Sequence, residues 1–338
     1  MRRFARARLA GRVIRRLRRA GIRDARYHAR PFEIRFTAPG DTEHTIIQLE
    51  PLLAGRYRRR QLDAFVAGLL RTSGLPADWD RAAPLLRPVL RGFAPGAPLR
   101  RRALPFLSEF VVVDQPDTMT YVTPAQSETW HVSPAEIHAT ARGNLSGAVL
   151  HGTATGPTVI RFVDDGDSYW TSHLLLEGWL ARLSDQVGGT PVAFAPERGT
   201  LLVAADGSEH LPGLFAQAEE FYLRSVRGLT PMAYVSDANG CTVPYTAPPG
   251  HPLHHLVRRA ERVLAMHEYA RQAADSPVEM APLTIAEGGR TRTVVKGGAL
   301  LPEADEVAVG DRVLPWAEIA GTLSRVEDLF PPRWRASA

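Results

Sequence analysis

The stretch FVVVDQPDTMTYVT, residues 110–123, carries the strand signal from which the fold can be worked out. Its first four residues are a continuous apolar run, which suits a strand that is buried on both faces. The polar residues at 114–117 include Pro116 and predict a turn. A second short strand follows from Met119 to Val122. The stretch therefore predicts a sheet at the centre of the protein.

Two helix starts come directly after these strands. Thr123-Pro124-Ala125-Gln126 and Ser133-Pro134-Ala135-Glu136 each place a hydroxyl at the N-cap, proline at the first helical position and an amide or carboxylate at the third. Side chains in that order satisfy the free amide donors of a first helical turn. The sequence therefore predicts two helices packed near the central strands.

The rest of the central region continues this alternation of strands and helices. Apolar patterns predict strands at 158–163, 192–195 and 200–204, and helical spacing predicts helices at 211–222 and 255–272. Residues 169–176 fit either a strand or the start of a helix, and the pattern does not separate the two. The predicted fold class is α+β, with a central mixed or antiparallel sheet and packed helices.

The first 75 residues predict a unit of helix, hairpin and helix. Apolar residues, Leu9, Val13 and Leu17 among them, recur at helical spacing before Gly21, which stands where a C-terminal glycine cap would. Strands at 32–36 and 45–49 flank a turn and form the hairpin. Helical spacing returns at 60–71.

Composition divides the chain into four segments. Residues 1–75 form a basic N-terminal α+β unit, and 76–104, with five prolines, are predicted to be a Pro/Arg-rich linker with at most short helices. Residues 105–275 form the central α+β domain. Residues 276–338 form a small accessory β-rich module, whose tail at 330–334 is expected to wrap back onto the body. The strands of this module are predicted at 291–295, 306–309 and 312–314.

Charge is distributed unevenly along the chain. The basic residues are forty arginines and Lys296; residues 1–104 have a net charge of +16, and the remainder has −11. The basic part can present a surface to an anionic partner or dock on the acidic part of the same chain, and the sequence leaves both open. The candidate basic surface consists of Arg2, Arg3, Arg12, Arg15, Arg16, Arg18, Arg19, Arg58, Arg59 and Arg60, with Arg56 and Arg100 to Arg102 as further members.

Composition also bears on the compartment. No apolar run approaches the roughly twenty residues that span a bilayer, and the opening segment lacks the features of a secretory signal. We therefore expect a cytoplasmic protein with no membrane span. Cys241 is the single cysteine, which rules out an intramolecular disulfide and a cysteine-rich zinc cluster. We expect it to be a small packed side chain rather than a nucleophile.

Two groups of residues have the chemistry of metal ligands. The first is a histidine-rich helix start with His251, His254, His255 and His267 beside Glu268, but no second histidine follows at the i+4 spacing that a helical zinc site needs. The second comprises Asp164, Asp165 and Asp167, which could hold Mg²⁺ with His173. An exposed helix start and an Asp-Gly turn explain these patterns better, so we expect no metal and no cofactor.

A further pair of aspartates, Asp114 and Asp117, follows the buried strand, at the position where ligands bind in parallel α/β sheets. Nothing in the sequence indicates a parallel sheet. The phosphate-binding, dinucleotide-binding and serine-hydrolase loop motifs are absent from the sequence. We therefore favour a non-enzymatic binding or adaptor protein that contacts a protein partner or a polyanionic surface through its basic third. A nucleic-acid or anionic-membrane-surface binder and an enzyme of unrecognised type are the alternatives.

Four blocks of the sequence resemble a known family: LPFLSEFVVVDQPDTMTYVT, VSPAEIHATARGNL, GDSYWTSHLLL and GGTPVAFAPERGTLLVA. In this order they are similar to the uncharacterised bacterial YtpQ-like family, a domain of unknown function. The resemblance covers about residues 2–272 and implies an α+β protein without an established activity, cofactor or substrate. The family turn often reads Pro-x-Arg-Asp, whereas Gly199 follows Arg198 here.

Overall fold

The computed structural model describes residues 2–37, 44–49, 66, 75–92, 98–115, 118–145, 147–148, 150–163, 169–225, 227–274, 276, 278–326 and 329–336. Within these residues the chain has an α+β fold, as predicted, with helices packed on antiparallel sheets. No helix of the described part is long and apolar enough to cross a membrane.

The predicted central strand is an inner strand of a seven-stranded antiparallel sheet. The strands are β1 (Arg26–His28), β2 (Glu33–Thr37), β3 (His44–Gln48), β4 (Leu86–Arg91), β5 (Arg100–Leu104), β6 (Leu107–Gln115) and β7 (Thr118–Tyr121). Their order is β1-β2-β3-β7-β6-β4, and β5 pairs with the first half of β6. The strands predicted around 110–113 and 119–122 are therefore confirmed, and they pair with each other.

One face of β6 is covered by the two helices that the capping signals predict. They are α3 (Pro124–Trp130) and α4 (Pro134–Gly143), and Thr123 with Gln126 forms a capping box at the start of α3. Ile137 and Ala141 of α4 pack against Val111 and Val113 of β6 in one buried cluster. The opposite face of β6 carries Phe110 and Val112, because side chains alternate along a strand.

The prediction of at most short helices between 76 and 104 is wrong. This segment contains the short helix α2 (Trp79–Ala82), a 3₁₀ turn at Ala83–Leu85, and the strands β4 and β5. Pro88 lies inside β4, which pairs with β6 alone and forms an edge of the sheet. Proline lacks an amide donor, so it is tolerated in such an edge strand but reads as a loop signal in the sequence.

The N-terminal helix α1 (Arg2–Arg19) packs its apolar stripe onto β1 and β2. Ala10, Val13 and Leu17 are fully buried, and they contact a cluster that contains Ile34. Gly21 has φ +98°, a conformation that favours glycine at the end of a helix. The strands β2 and β3 pair antiparallel, and the turn predicted between them lies outside the described residues. The second helix of the predicted unit, at 60–71, lies outside the described residues except for Val66.

A second, five-stranded antiparallel sheet has the order β12-β11-β9-β10-β8. Its strands are β8 (Val159–Val163), β9 (Pro191–Glu197), β10 (Thr200–Ala205), β11 (Ala233–Ser236) and β12 (Thr242–Pro244). The associated helices are α5 (Ser184–Val187), α6 (Leu211–Arg224) and α7 (His254–Ala274), with 3₁₀ helices at Trp170–Leu175 and Ala181–Leu183. Residues 169–176, which the sequence left open, therefore contain a 3₁₀ helix. The sequence predicted a mixed or an antiparallel sheet, and both larger sheets are antiparallel.

The C-terminal region is β-rich, as predicted, and contains two small sheets. The first, in the order β13-β14-β16-β17, comprises β13 (Thr284–Ile285), β14 (Thr291–Val294), β16 (Glu306–Val309) and β17 (Arg312–Pro315). The second, in the order β15-β19-β18, comprises β15 (Leu301–Pro302), β18 (Leu323–Val326) and β19 (Arg333–Ala336). The short helix α8 (Trp316–Ile319) and 3₁₀ turns at Glu287–Gly289 and Ala320–Thr322 complete this region.

The tail packs against α7, as predicted. The hydroxyl of Tyr269 donates to the carbonyl of Pro332 (3.1 Å), and Gln272 Nε2 donates to the carbonyl of Pro331 (2.8 Å). Arg333 is fully buried. Its guanidinium donates to Gln272 Oε1 and to the backbone carbonyls of Tyr269, Ala281 and Leu300. These bonds join β19 to α7 and to neighbouring strands.

Candidate functional site

The outer face of α1 carries a row of exposed arginines. Arg8, Arg12, Arg15 and Arg19 follow one another at spacings of four and three residues, so they lie on one side of the helix, opposite Ala10, Val13 and Leu17. Arg18 is exposed beside this row, and Arg16 is half-buried and donates to the carbonyl of Arg12 (2.9 Å). We call Arg8, Arg12, Arg15, Arg18 and Arg19 the α1 basic face.

The arginines of the α1 basic face were predicted either to meet an outside partner or to dock on the acidic part of the chain. Among the described residues, none of their five guanidinium groups forms an ion pair with a carboxylate. The side chains of Arg2 and Arg3, and all of Arg58, Arg59 and Arg60, lie outside the described residues. Arg56 does as well.

Arg100, Arg101 and Arg102, the other predicted members of the basic surface, lie on β5 and are used differently. Arg101 pairs with Glu109 (2.6 Å). The guanidinium of Arg102 lies over the ring of Phe330, 5.3 Å from its centroid. At least two of these three arginine side chains therefore contact other residues of the same chain.

Glu109 is the centre of a buried ion cluster between β6 and α4. Its carboxylate is fully buried and accepts two bonds from Arg142 (3.0 and 2.7 Å) in addition to those from Arg101. His138 Nδ1 lies 3.4 Å from the same carboxylate. Burial alone would raise the pKa of Glu109, but the close contact with His138 and the bonds from Arg142 and Arg101 outweigh burial and lower it to about 2. We call these four residues the Glu109 cluster.

A second group of charges lies on the opposite face of the same sheet. Arg91 is at the end of β4, directly across from Ser108, and therefore shares a face with Phe110 rather than with Glu109. Arg198 lies in the two-residue turn between β9 and β10, and its amide donates to the carbonyl of Arg227 (3.2 Å). Arg227 in turn donates to Gln48 Oε1 of β3. We call Arg91, Arg198 and Arg227 the arginine cluster.

The environment of the arginine cluster disfavours its charge. Burial, and next the positive charge of Arg91, lower the pKa of Arg198 to about 9, with a further contribution from Arg227. The Nε atoms of Arg91 and Arg198 are buried and have no hydrogen-bond partner among the described residues. Buried polar groups nearly always have a partner, so unpaired donors of this kind need a physical explanation.

Tyr169 lies against the same face of the sheet as Arg91. Its side chain packs beside Phe110 and Val112. Burial raises the pKa of Tyr169, and the carboxylate of Asp114, to which it is hydrogen-bonded, raises it further. Asp114, a candidate ligand from the sequence, is thus held in an antiparallel sheet, where the binding rule for parallel sheets does not apply. Asp117 lies outside the described residues.

The histidines at the start of α7 bond to the protein and do not converge. His251 Nδ1 accepts from the amide of Leu253 (3.2 Å), and His254, the first residue of α7, contacts the carbonyl of Ala247 through Nδ1 (2.7 Å). His267 Nδ1 lies 3.0 Å from the hydroxyl of Tyr222. His255 is exposed. Among the described residues no group of three or more histidines, cysteines or carboxylates could hold a metal ion.

The aspartate candidates Asp164, Asp165 and Asp167 lie outside the described residues. His173, considered with them, is buried and packs between Trp170 and Trp179, with ring centroids 5.2 and 4.9 Å away. Burial lowers its pKa and favours the neutral ring. The structure therefore places His173 in an aromatic core.

The prediction for Cys241 is wrong, because its side chain is exposed and not packed. The residue lies just after the turn that precedes β12, and its amide donates to Asp237 Oδ1 (2.8 Å). A glycine at position 240 with φ +80° sets this turn and keeps the following side chain at the surface.

Comparison with protein-family models, with curated proteins and with solved structures finds no match to this chain. The resemblance to the YtpQ-like family therefore stays a prediction.

Sequence reasoning did not single out Arg91, Glu109 or Arg142. The available signal for Glu109 was a carboxylate inside an otherwise apolar strand, which needs a partner when it is buried. Arg198 was noted only as part of a turn. In a chain with forty arginines, the few that are buried cannot be told from the rest by composition.

Proposed function

We propose that the protein is a non-enzymatic binding or adaptor protein that contacts a polyanionic partner through the α1 basic face. The observation that carries this proposal is that five exposed arginines lie on a helix anchored by its apolar stripe, and none pairs with a described carboxylate. A rigid, unpaired row of guanidinium groups is suited to carboxylate or phosphate surfaces.

The row is longer than the stability of the helix requires. Cations near the C-terminal end of a helix interact favourably with its dipole, which gives Arg16, Arg18 and Arg19 a structural role. That effect fades beyond the last turn, so it does not account for Arg8, Arg12 or Arg15. The row from Arg8 to Arg19 extends about 16 Å at the rise of an α-helix, long enough to engage several charges of a partner at once.

The chemistry of the row favours charge recognition over recognition of bases. Proteins that read single-stranded nucleic acid stack bases on aromatic rings. Phe4 is the only aromatic residue of α1. The supported partner is therefore an acidic surface that is recognised through its charge. We also propose membership of the YtpQ-like family, supported by the order of the four similar sequence blocks, and a cytoplasmic location, supported by the single cysteine.

Binding measured across a salt series tests this function. The full chain would be titrated against fluorescent duplex DNA, heparin and vesicles that contain an anionic lipid. The test variant is Arg12→Gln/Arg15→Gln/Arg19→Gln, because glutamine retains helix propensity. The matched control is Arg161→Gln/Arg312→Gln/Arg325→Gln, which removes three exposed arginines from other elements.

We expect the natural chain to bind at low salt and the test variant to bind at least about tenfold more weakly, with the control unchanged. For duplex DNA, the slope of log affinity against log salt should decrease in magnitude by about 2 to 3 in the test variant, since each phosphate contact contributes about 0.9. Absence of binding to all three probes at low salt, or an equal loss in the control, would overturn the proposal.

A further inference from the structure

The arginine cluster contains two guanidinium groups, those of Arg91 and Arg198, that no described carboxylate neutralises. Arg91 is 6% exposed, and its one described side-chain bond runs from Nη1 to the carbonyl of Leu90 (2.6 Å). Arg198 is partly buried, and within the described part of the chain its guanidinium has no ion pair. The 3₁₀ helix Trp170–Leu175 packs on β4, and the hydroxyl of its Thr171 donates to the carbonyl of Arg198 (3.4 Å), which places the β9–β10 turn beside the strand that carries Arg91.

Two carboxylates of this region bond to other residues. Glu33 pairs with Arg35 (2.7 Å) and also accepts from Gln48 Nε2 (3.4 Å). Glu197, which precedes Arg198, accepts from the hydroxyls of Thr200 (2.9 Å) and Ser225 (3.0 Å). Within the described part of the chain, Arg91 and Arg198 therefore carry an excess of positive charge that no ion pair offsets.

Loss of a proton does not relieve this excess. An arginine remains charged at neutral pH even when burial has lowered its pKa to about 9, as for Arg198. Burial of an uncompensated charge costs several kcal/mol, on the order of the stability contributed by a good ion pair. An anion from solution removes that cost, because it supplies the acceptors that the two Nε donors lack.

We propose that Arg91 and Arg198 bind a phosphate group, either as inorganic phosphate or as the terminal group of a phosphate monoester. Guanidinium groups match phosphate oxygens with two parallel bonds, and phosphate has the higher charge that two adjacent cations favour over a carboxylate. Arg227 contributes charge from the next segment while its guanidinium bonds to Gln48. Arg198 is partly exposed, so solvent reaches the site from the side on which Arg198 lies.

This site is separate from the α1 basic face. It uses residues of β4, of the β9–β10 turn and of the segment after α6, and it includes no residue of α1. The Glu109 cluster lies on the opposite face of the sheet, so it does not supply a counter-charge. Failure of polyanion binding by α1 and failure of phosphate binding here are therefore independent results.

Isothermal titration calorimetry of the full chain in phosphate-free buffer tests the site. The probes are inorganic phosphate and glycerol 3-phosphate, and the variants are Arg198→Met, Arg91→Met and Arg198→Lys. Arg312→Met is the matched control, since Arg312 is exposed on β17. Urea unfolding of each variant establishes that it is folded; if Arg91→Met does not fold, the two Arg198 variants carry the test.

We expect the natural chain to bind at least one probe. Arg198→Met and Arg91→Met should each lose at least about tenfold in affinity. Arg198→Lys should lose less, because lysine keeps the charge but not the paired donors. Binding of inorganic phosphate alone identifies the free ion as ligand, and tighter binding of glycerol 3-phosphate identifies an ester. The control and the Arg12→Gln/Arg15→Gln/Arg19→Gln variant should bind as the natural chain does.

The pH dependence provides a second readout. Affinity for glycerol 3-phosphate should rise between pH 5.5 and 7.5, because a phosphate monoester loses its second proton near a pKa of about 6 while arginine stays charged. No binding of either probe by the natural chain, or unchanged affinity in a folded Arg198→Met, would overturn the proposal. A flat pH profile would contradict selection of the dianion.

Discussion

On one face of the seven-stranded sheet Glu109 lies among Arg101, Arg142 and His138. On the other face, Arg91 and Arg198 have no carboxylate partner among the described residues. The two groups are neighbours in the sheet, because Arg91 is paired with Ser108 and Leu90 with Glu109. The alternation of side chains along β4 and β6 separates them completely.

The difference shows how the same residue type serves two purposes. Arg142 forms two bonds to a fully buried carboxylate, so its charge is compensated inside the protein. Arg91 and Arg198 each leave one Nε donor without a partner among the described residues, and an anion from outside would remove the cost of that burial. Closed ion clusters stabilise a fold, whereas unpaired buried cations indicate a binding site. The predictions below test this distinction.

The largest expected effect comes from removal of the buried carboxylate. Glu109→Gln should lower the free energy of unfolding by about 3 kcal/mol, because Arg101, Arg142 and His138 lose their counter-charge. Urea unfolding measures this loss. Glu128→Gln, on an exposed position of α3, is the control and should change stability by less than about 0.5 kcal/mol. Equal effects of the two variants would show that the Glu109 cluster is not a stabilising unit.

The pH dependence of stability should report the same carboxylate. The pKa of Glu109 is about 2 in the folded protein and about 4.5 ordinarily, so the folded state favours the ionised form. Its contribution, about 3 kcal/mol, is fully present above pH 4.5 and is lost as the pH falls towards 2. The stability difference between the natural chain and Glu109→Gln should therefore shrink when unfolding is measured at pH 6, 4 and 3. A constant difference would contradict the assignment.

A smaller effect is expected for one of the arginines around Glu109. Arg142→Met should lower the free energy of unfolding by about 2 kcal/mol, less than Glu109→Gln, because Arg101 and His138 still face the carboxylate. The double variant with Glu109→Gln should lose less than the sum of the two single losses, since the charges interact directly. Strict additivity would place Arg142 outside the cluster.

Local patterns predicted much of the fold. The apolar stripe of α1, the capped starts of α3 and α4 and the β9–β10 hairpin depend on residues close in sequence, and each is found where the pattern placed it. The strands β4 and β5 were missed, because they are held by pairing with β6, which the local sequence does not show. Pro88 in β4 and the arginine triplet in β5 are not typical of strands.

The candidate site was less predictable than the fold. Arg91 and Arg198 come together only because the β9–β10 turn packs over the face of β4 and β6, and no periodicity in the sequence records that contact. The α1 basic face was predictable in position, since its exposed row follows from the buried stripe of the same helix. Its lack of described ion-pair partners became visible only in three dimensions.

The free energy of unfolding of Arg198→Met, measured beside Arg142→Met in the same phosphate-free buffer, tests the contrast between the two faces most directly. We predict that Arg198→Met is as stable as the natural chain or more stable by up to about 1 kcal/mol, because it removes a buried, unpaired charge and its repulsion with Arg91. Arg142→Met should be clearly destabilised. If Arg198→Met loses as much stability as Arg142→Met, Arg198 is a compensated structural residue and the contrast between the two faces is wrong.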